Sequence, residues 1–491
     1  MPPPTAPSSP RPDTVTRVDY VPHSEADVAA LLARLGLERV EDLFADVPEA
    51  VRLRRPLDLP AGLSEAEVLA ELRRRAAANQ PAGSLVSFLG AGVYDHHVPP
   101  VVDAIVSRGE FLTAYTPYQP ERSQGLLQSI FEYQTAVCEL TGMEVSNASL
   151  YDGGTALAEA ALLAAAHTRR SAVVVSAGVH PEYRQVLATW TRWSGPAAVT
   201  VPLAAGGATD VAALAAASGG DTAAVVVQQP NFLGAFEDVA AAAAAAHEAG
   251  ALLVVVADPL SLGLLEAPGA LGADVVVGEG QALGSPMSYG GPGLGFIATT
   301  AALMRRLPGR LVGETRDVDG RRGYVLTLQT REQHIRRERA TSNICSNHAL
   351  NALAALVYLT WLGREGLPQL GLLCARKAAY LRGRLLALPG VEAVTAGPVF
   401  REFAVRLPRP AADVVRDLLP RGFLAGVDLG RFAAAFAGLV PPDVAAALDR
   451  TLLLAVTEKR SRAEMDAFVA ALAGVLAEGG PATGGEGGDR A

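Results

Sequence analysis

The chain has 491 residues, half of them apolar, and a formal net charge of −9. A chain of this length and a mean hydropathy of +0.23 predicts two or three domains rather than one small core. The acidic balance argues against a nucleic-acid partner, which draws on clustered positive charge, and no apolar run nears the roughly 20 residues of a membrane span. The expectation is a soluble protein.

Residues 1–20 begin with a Pro- and Ser-rich stretch that lacks a basic-then-apolar signal, and they read as a disordered leader. Residues 21–150 form a helical and loop-rich region. Apolar positions at helical spacing mark 26–37 and 64–78, and a third helix follows Ser123 through Leu127, Ile130, Phe131, Gln134 and Val137. Between them, 87–100 and 115–124 are dense in Gly, Pro, Tyr and His. Loops of this kind either carry function or connect.

From 151 to 364 the pattern becomes short apolar runs alternating with alanine-rich helices. Strands are expected at 172–176, 198–201, 223–228, 251–257 and 274–277, with helices at 155–167, 181–190, 211–216 and 236–249. This predicts an α/β domain with a mainly parallel sheet. Residues 365–478 predict a small α+β domain. It comprises a helix at 370–388, strands at 391–394, 402–407 and 452–456, and helices at 411–418 and 461–476. Residues 479–491 read as a disordered tail.

Ligands of open α/β sheets sit beyond the carboxyl ends of the strands, and three places there stand out. Tyr151-Asp152-Gly153-Gly154-Thr155 opens a helix, where free backbone N–H groups suit a phosphate; an ordinary N-cap after a turn gives the same letters. Asp258 ends the most apolar strand, where it can pair with a protonated pyridine nitrogen or simply start a turn before Pro259. The third is the small-residue run from Gly278 through Gln281 to Gly293, where pyridoxal-phosphate enzymes of the aspartate-aminotransferase type carry their Schiff-base lysine. Gln281 is an amide and forms no imine.

Lysine occurs only at Lys377 and Lys459, and neither follows a large-domain strand, so surface solvation is expected for both. The Arg331 to Arg339 cluster, interleaved with Glu332 and Glu338, reads as a solvated or interfacial helix face. Three cysteines, Cys138, Cys345 and Cys374, fit neither a disulfide framework nor a zinc site, which suggests a reducing cytoplasm. His96-His97 lacks a completing carboxylate or Cys spacing, so no metal is assigned. The glycines at 291, 293 and 295 lead into a strand-like run at 294–298 rather than a helix and are weak evidence of a dinucleotide site, and no glycine fingerprint lies between the first strand and first helix, as a nicotinamide dehydrogenase would need.

The runs FLGAGVYDHHVP at 88–99, YTPYQPERSQG at 115–125, TREQHIRR at 330–337 and ATSNIC at 340–345 resemble the P-protein family, glycine dehydrogenase (decarboxylating) of the glycine cleavage system, in its subunit 1 (alpha) form. The resemblance covers nearly the whole chain apart from leader and tail. It implies the fold type I architecture of pyridoxal-phosphate transferases and a cofactor held covalently by subunit 2 (beta). The complex would be an alpha2-beta2 heterotetramer that decarboxylates glycine and passes the aminomethyl group to the lipoyl arm of H-protein. Setting Pro286 on the family's proline puts Gln281 on the lysine position. This chain then resembles the non-lysine half, with no catalytic residue of its own and a degenerate site at Gly154, Thr155, Asp258 and Gln281. Tyr94, Tyr118, Thr341 and Ser342 are expected to reach the partner's site. The alternative is a purely structural subunit that touches no ligand.

Overall fold

The computed structural model describes residues 23–478 except 54, 56, 113, 114 and 194; the expected leader and the expected tail lie outside the described residues. The described residues divide into two compact units, with the boundary between Asn79 and Gln80. In the first, helices Glu25–Leu35 and Glu65–Ala76 each begin with a capping box, Ser24 with Asp27 and Ser64 with Glu67. A serine and an acidic residue three positions later satisfy two orphan amides reciprocally, which is why both helices start there.

The second unit is organised by a seven-stranded sheet. Its strands are β1 (Val145–Ser146), β2 (Ala172–Ser176), β3 (Ala197–Val201), β4 (Thr222–Gln229), β5 (Leu252–Ala257), β6 (Val275–Glu279) and β7 (Gly295–Thr299). They lie in the order β1-β7-β6-β5-β4-β2-β3. β2 to β6 run parallel, and β7 is antiparallel to both of its neighbours.

β5 shows why its sequence is an unbroken apolar run. Val254 and Val256 face one core with the alanines of helix Gly153–Thr168, while Leu253, Val255 and Ala257 face the other with Ala242, Ala246 and Tyr358. Both faces are covered, so alternation has no polar partner to show. Helix Gly153–Thr168 is buried almost all round, because its alanines let it sit close on the sheet.

A four-stranded antiparallel sheet forms the C-terminal α+β region, with Glu392–Ala393, Glu402–Arg406, Thr451–Ala455 and Val427–Asp428 as neighbours in that order. The helix expected from 370 begins earlier, at Ala349, and reaches Leu386 across a break at Gly363, where φ is 64°. Its first part packs Ala352, Ala355 and Tyr358 on the large sheet; its second packs Ala378, Leu381 and Leu385 on the small one. Tertiary contacts on both sides hold it through Gly363 and Pro368.

The hairpin Leu311–Arg316 with Arg322–Thr327 was not foreseen. Arg331 departs from the solvated face expected of its cluster: it is buried and its guanidinium donates to the carbonyls of Leu307 and Gly309. Neither lysine is merely solvated. The Lys377 ammonium donates to the Glu458 carbonyl at 2.5 Å, and that of Lys459 to Asp95 at 2.5 Å.

Candidate functional site

The carboxyl ends of β4, β5 and β6 and the N-terminus of helix Gly153–Thr168 converge on one cleft, with Arg401 and Glu402 reaching in from the small sheet. Asp152 is the N-cap of that helix and accepts from the Thr155 amide at 2.7 Å, while the Thr155 hydroxyl donates back to the Asp152 carbonyl at 3.1 Å. The Gly153 amide is engaged too: it donates to Glu279 at 3.0 Å. A Cβ on Gly153 would lie 2.5 Å from the Tyr183 hydroxyl, and one on Gly154 3.3 Å from the Tyr183 ring. The two glycines therefore admit a tyrosine, which packs over the helix start.

Glu279, at the end of β6, is a hub. It also accepts from the amides of Gln281 at 2.9 Å and Leu294 at 2.7 Å. Burial pushes its carboxyl up to about 7 despite these donors. Gln281 is buried, with both ends of its amide used. The side-chain oxygen accepts from the Tyr94 amide at 2.9 Å, and the nitrogen donates to the carbonyls of Tyr94 at 3.1 Å and Ser285 at 2.8 Å. A residue at the end of a short reach into the pocket has become a tie between two loops.

Asp258 makes the expected turn and also pairs with a cation from this chain. One oxygen accepts from the Leu260 amide at 3.0 Å, the expected turn, and the other pairs with the Arg401 guanidinium at 2.7 Å. Arg401 is 2% exposed. Its carbon lies 3.5 Å from the centre of the Tyr94 ring, and it also donates to His96 Nε2. Arginine carries no acceptor, so His96 is neutral there, with its proton on Nδ1 donated to Glu458 at 2.6 Å. Glu402 accepts from the Ala91 amide at 2.7 Å and the Tyr94 hydroxyl at 2.8 Å, and burial raises it to about 7.

His180, after β2, is sandwiched between Tyr183 and Phe232, with ring centres 4.8 and 4.6 Å away. Its Nδ1 accepts from the Glu182 amide, so its Nε2–H donates to the Ala91 carbonyl at 3.0 Å. Sequence reasoning missed Glu279, Arg401, Glu402, His180 and Tyr183. Glu279 and His180 were detectable, since they lie two and four residues beyond the expected strands at 274–277 and 172–176. Arg401 was not, because its partner Asp258 is 143 positions away.

The four residues expected to face a partner separate into two groups. Tyr94 lies within this cleft, with its hydroxyl committed to Glu402, and the Ser342 hydroxyl donates to buried Glu159 at 2.5 Å. Tyr118 is 55% exposed, edge-on to His334 and above Arg310, and Thr341 is exposed.

These residues do not fit a pyridoxal-phosphate cofactor. The space beside Asp258 is about 40 Å³, room for water and not for a ring. Asp258 already has a cation, and the helix amide that would meet a phosphate donates to a carboxylate. The outer cleft of about 400 Å³ is rimmed by Asp152, Glu182 and Glu279, which repel a phosphate dianion.

The model of the family described as "Glycine cleavage system P-protein" matches residues 18–472. The chain is 54% identical over 458 residues to the probable glycine dehydrogenase (decarboxylating) subunit 1 of Moorella thermoacetica, covering 93% of this chain and 100% of that one. It is 52% identical to the probable subunit 1 of Carboxydothermus hydrogenoformans, over 93% and 99% of the two chains. The crystal structure of glycine decarboxylase (P-protein) of the glycine cleavage system, in inhibitor-bound form, is similar with a TM-score of 0.83 and 51% identity, over 93% of this chain and 100% of that one. A Lactobacillus brevis glutamate decarboxylase, at 14% identity over 88% of this chain and 97% of that one, shares the fold with a TM-score of 0.65. The architecture is that of the fold type I pyridoxal-phosphate enzymes, and the chain belongs to the glycine cleavage system P-protein family, among its subunit 1 members.

Proposed function

We infer that this chain is the half of a two-subunit glycine decarboxylase that holds no cofactor covalently, and that it works only together with subunit 2. The observation that carries the reading is the Gln281 amide, which the resemblance sets on the lysine position and which is tied at both ends to backbone, while both lysines of the chain donate elsewhere. In this reading subunit 2 carries pyridoxal phosphate in an alpha2-beta2 assembly in the cytoplasm. The complex takes CO₂ from glycine and passes the aminomethyl group to the lipoyl arm of H-protein. The present chain contributes the interface, with Tyr118 and Thr341 as the exposed groups able to reach the partner's site.

Borohydride reduction of the purified chain with pyridoxal phosphate, followed by intact mass spectrometry, should leave its mass unchanged, while co-purified subunit 2 gains one pyridoxyl group. A stoichiometric adduct on Lys377 or Lys459 reverses the assignment. The purely structural reading draws support from Tyr94 and Ser342, whose hydroxyls are used inside this chain. It leaves Tyr118 and Thr341 to decide, and substitution of those two residues tests it.

A further inference from the structure

Asp258 raises a physical question that the missing lysine does not answer. A carboxylate at the end of a buried parallel strand is costly without a cation, and in a pyridoxal-phosphate enzyme the cofactor ring supplies one. Here the cation comes from the chain. Arg401 precedes the small-sheet strand Glu402–Arg406, and its Nε meets Asp258 Oδ2 at 2.7 Å. The guanidinium has a planar face and an edge; the face is covered by a ring, and the edge lies at ion-pair distance from Asp258 and donates to His96. The Tyr94 ring lies 3.5 Å from the guanidinium carbon, a cation–π contact. The neutral His96 ring, itself held by Glu458, accepts from a second nitrogen.

The surroundings carry the same signature. Glu402 follows Arg401 directly and Glu279 faces the same small cavity, so two further carboxyl groups line the wall around the cation. A pocket that selects a flat monocation needs a carboxylate at its edge, an aromatic face and no competing positive charge. All three are present, and the occupant is tethered. Tethering removes the entropic cost of capturing a free ligand, which makes exchange with a dilute one unfavourable.

We propose that the pocket at the end of β5 is a planar-monocation site for which Arg401 is the built-in ligand, and that shortening Arg401 opens it to free guanidinium- or pyridinium-class cations. The same side chain ties the large sheet to the small one, because Asp258 follows β5 and Arg401 leads into the small sheet. This deepens the reading that the chain carries no cofactor, by giving its pocket an occupant, and it requires nothing of the partner subunit.

The test uses the full-length chain with Arg401→Ala and with Arg401→Ala plus Asp258→Asn. Melting midpoints are recorded in methylguanidinium chloride, N-methylpyridinium chloride and, as a non-planar control at equal ionic strength, tetramethylammonium chloride. The single variant should gain about 2 °C or more, saturably, with either planar cation relative to the control. The native chain and the double variant should show no such difference. If Arg401→Ala folds too poorly to melt, its refolding yield in methylguanidinium against tetramethylammonium is the readout, with the same expectation.

A response to planar cations no larger than the control overturns the proposal, as does stoichiometric non-covalent retention of pyridoxal 5′-phosphate by the native chain after dialysis. Failure in the melting experiment leaves the borohydride result untouched, so the two readings fall separately.

Discussion

The cleft beyond β5 and the surfaces at Tyr118 and Thr341 handle polar groups in opposite ways. In the cleft, Gln281, Asp258, Glu279, Glu402 and the Gly153 amide are all bonded within the chain. Around Tyr118 the backbone is anchored from behind, by Arg310 to the Cys345 carbonyl at 2.8 Å and by Ser342 to Glu159, while Tyr118 and Thr341 face outward. A pocket whose groups satisfy one another is rigid and closed to ligands. Tyr118 and Thr341 keep their hydroxyls exposed, and the proposed function assigns them to the partner.

The largest effect expected is on the cleft. Arg401→Met leaves the partly buried Asp258 carboxylate without its cation and should lower stability by about 3 kcal/mol in urea unfolding. Adding Asp258→Asn should recover at least half of that loss. A double variant as unstable as the single one would show that Arg401 acts by packing alone.

Next comes the anchor behind the loop. Burial raises Glu159 to about 7, opposed by its bond from Ser342. A carboxyl whose folded pKa is raised binds more protons folded than unfolded, so its favourable contribution is complete below about 4.5 and is lost as pH rises through 7. The native chain should therefore lose on the order of 2–3 kcal/mol from this group between pH 4.5 and 7, and Glu159→Gln should flatten that part of the profile. Urea midpoints at pH 5 and pH 8 measure it; an unchanged slope in the variant removes Glu159 as the cause.

Smaller again is the effect at the exposed loop. Tyr118→Ala and Thr341→Ala should leave assembly with subunit 2 intact and slow glycine–bicarbonate exchange at least about tenfold, roughly 1.4 kcal/mol of transition-state stabilisation. Assembled variants with native exchange make this chain a scaffold. The smallest effect is none at all: Gln281→Lys, checked for folding by circular dichroism, should yield no pyridoxyl adduct after borohydride, because Arg401 and Glu279 still occupy the groups a cofactor needs. Formation of an adduct would mean that the missing lysine was the sole defect.

Much of the fold was legible in the residues. The strand at 172–176 and the helix at 411–418 are found where the apolar runs placed them. The hairpin at 311–327 escaped because Arg, Glu and Asp fill its exposed positions and hide the alternation. The helix at 349–386 was cut short in the reading because Gly363 and Pro368 are local stop signals that packing overrides. The pocket was half legible: Asp258 and Gln281 stand at strand ends, whereas the residues that neutralise and lock them come from far along the chain.

What the sequence determined by itself is the period of its apolar residues, the caps of its helices, the family motifs and the absence of a lysine at position 281. These are local properties, set by side-chain type and spacing. Only the tertiary structure decided that Asp258 meets Arg401, that Glu279 takes the helix amide and that Arg331 is buried. Each is a charge whose burial is tolerable only beside a partner distant in sequence, and folding alone brings such partners together.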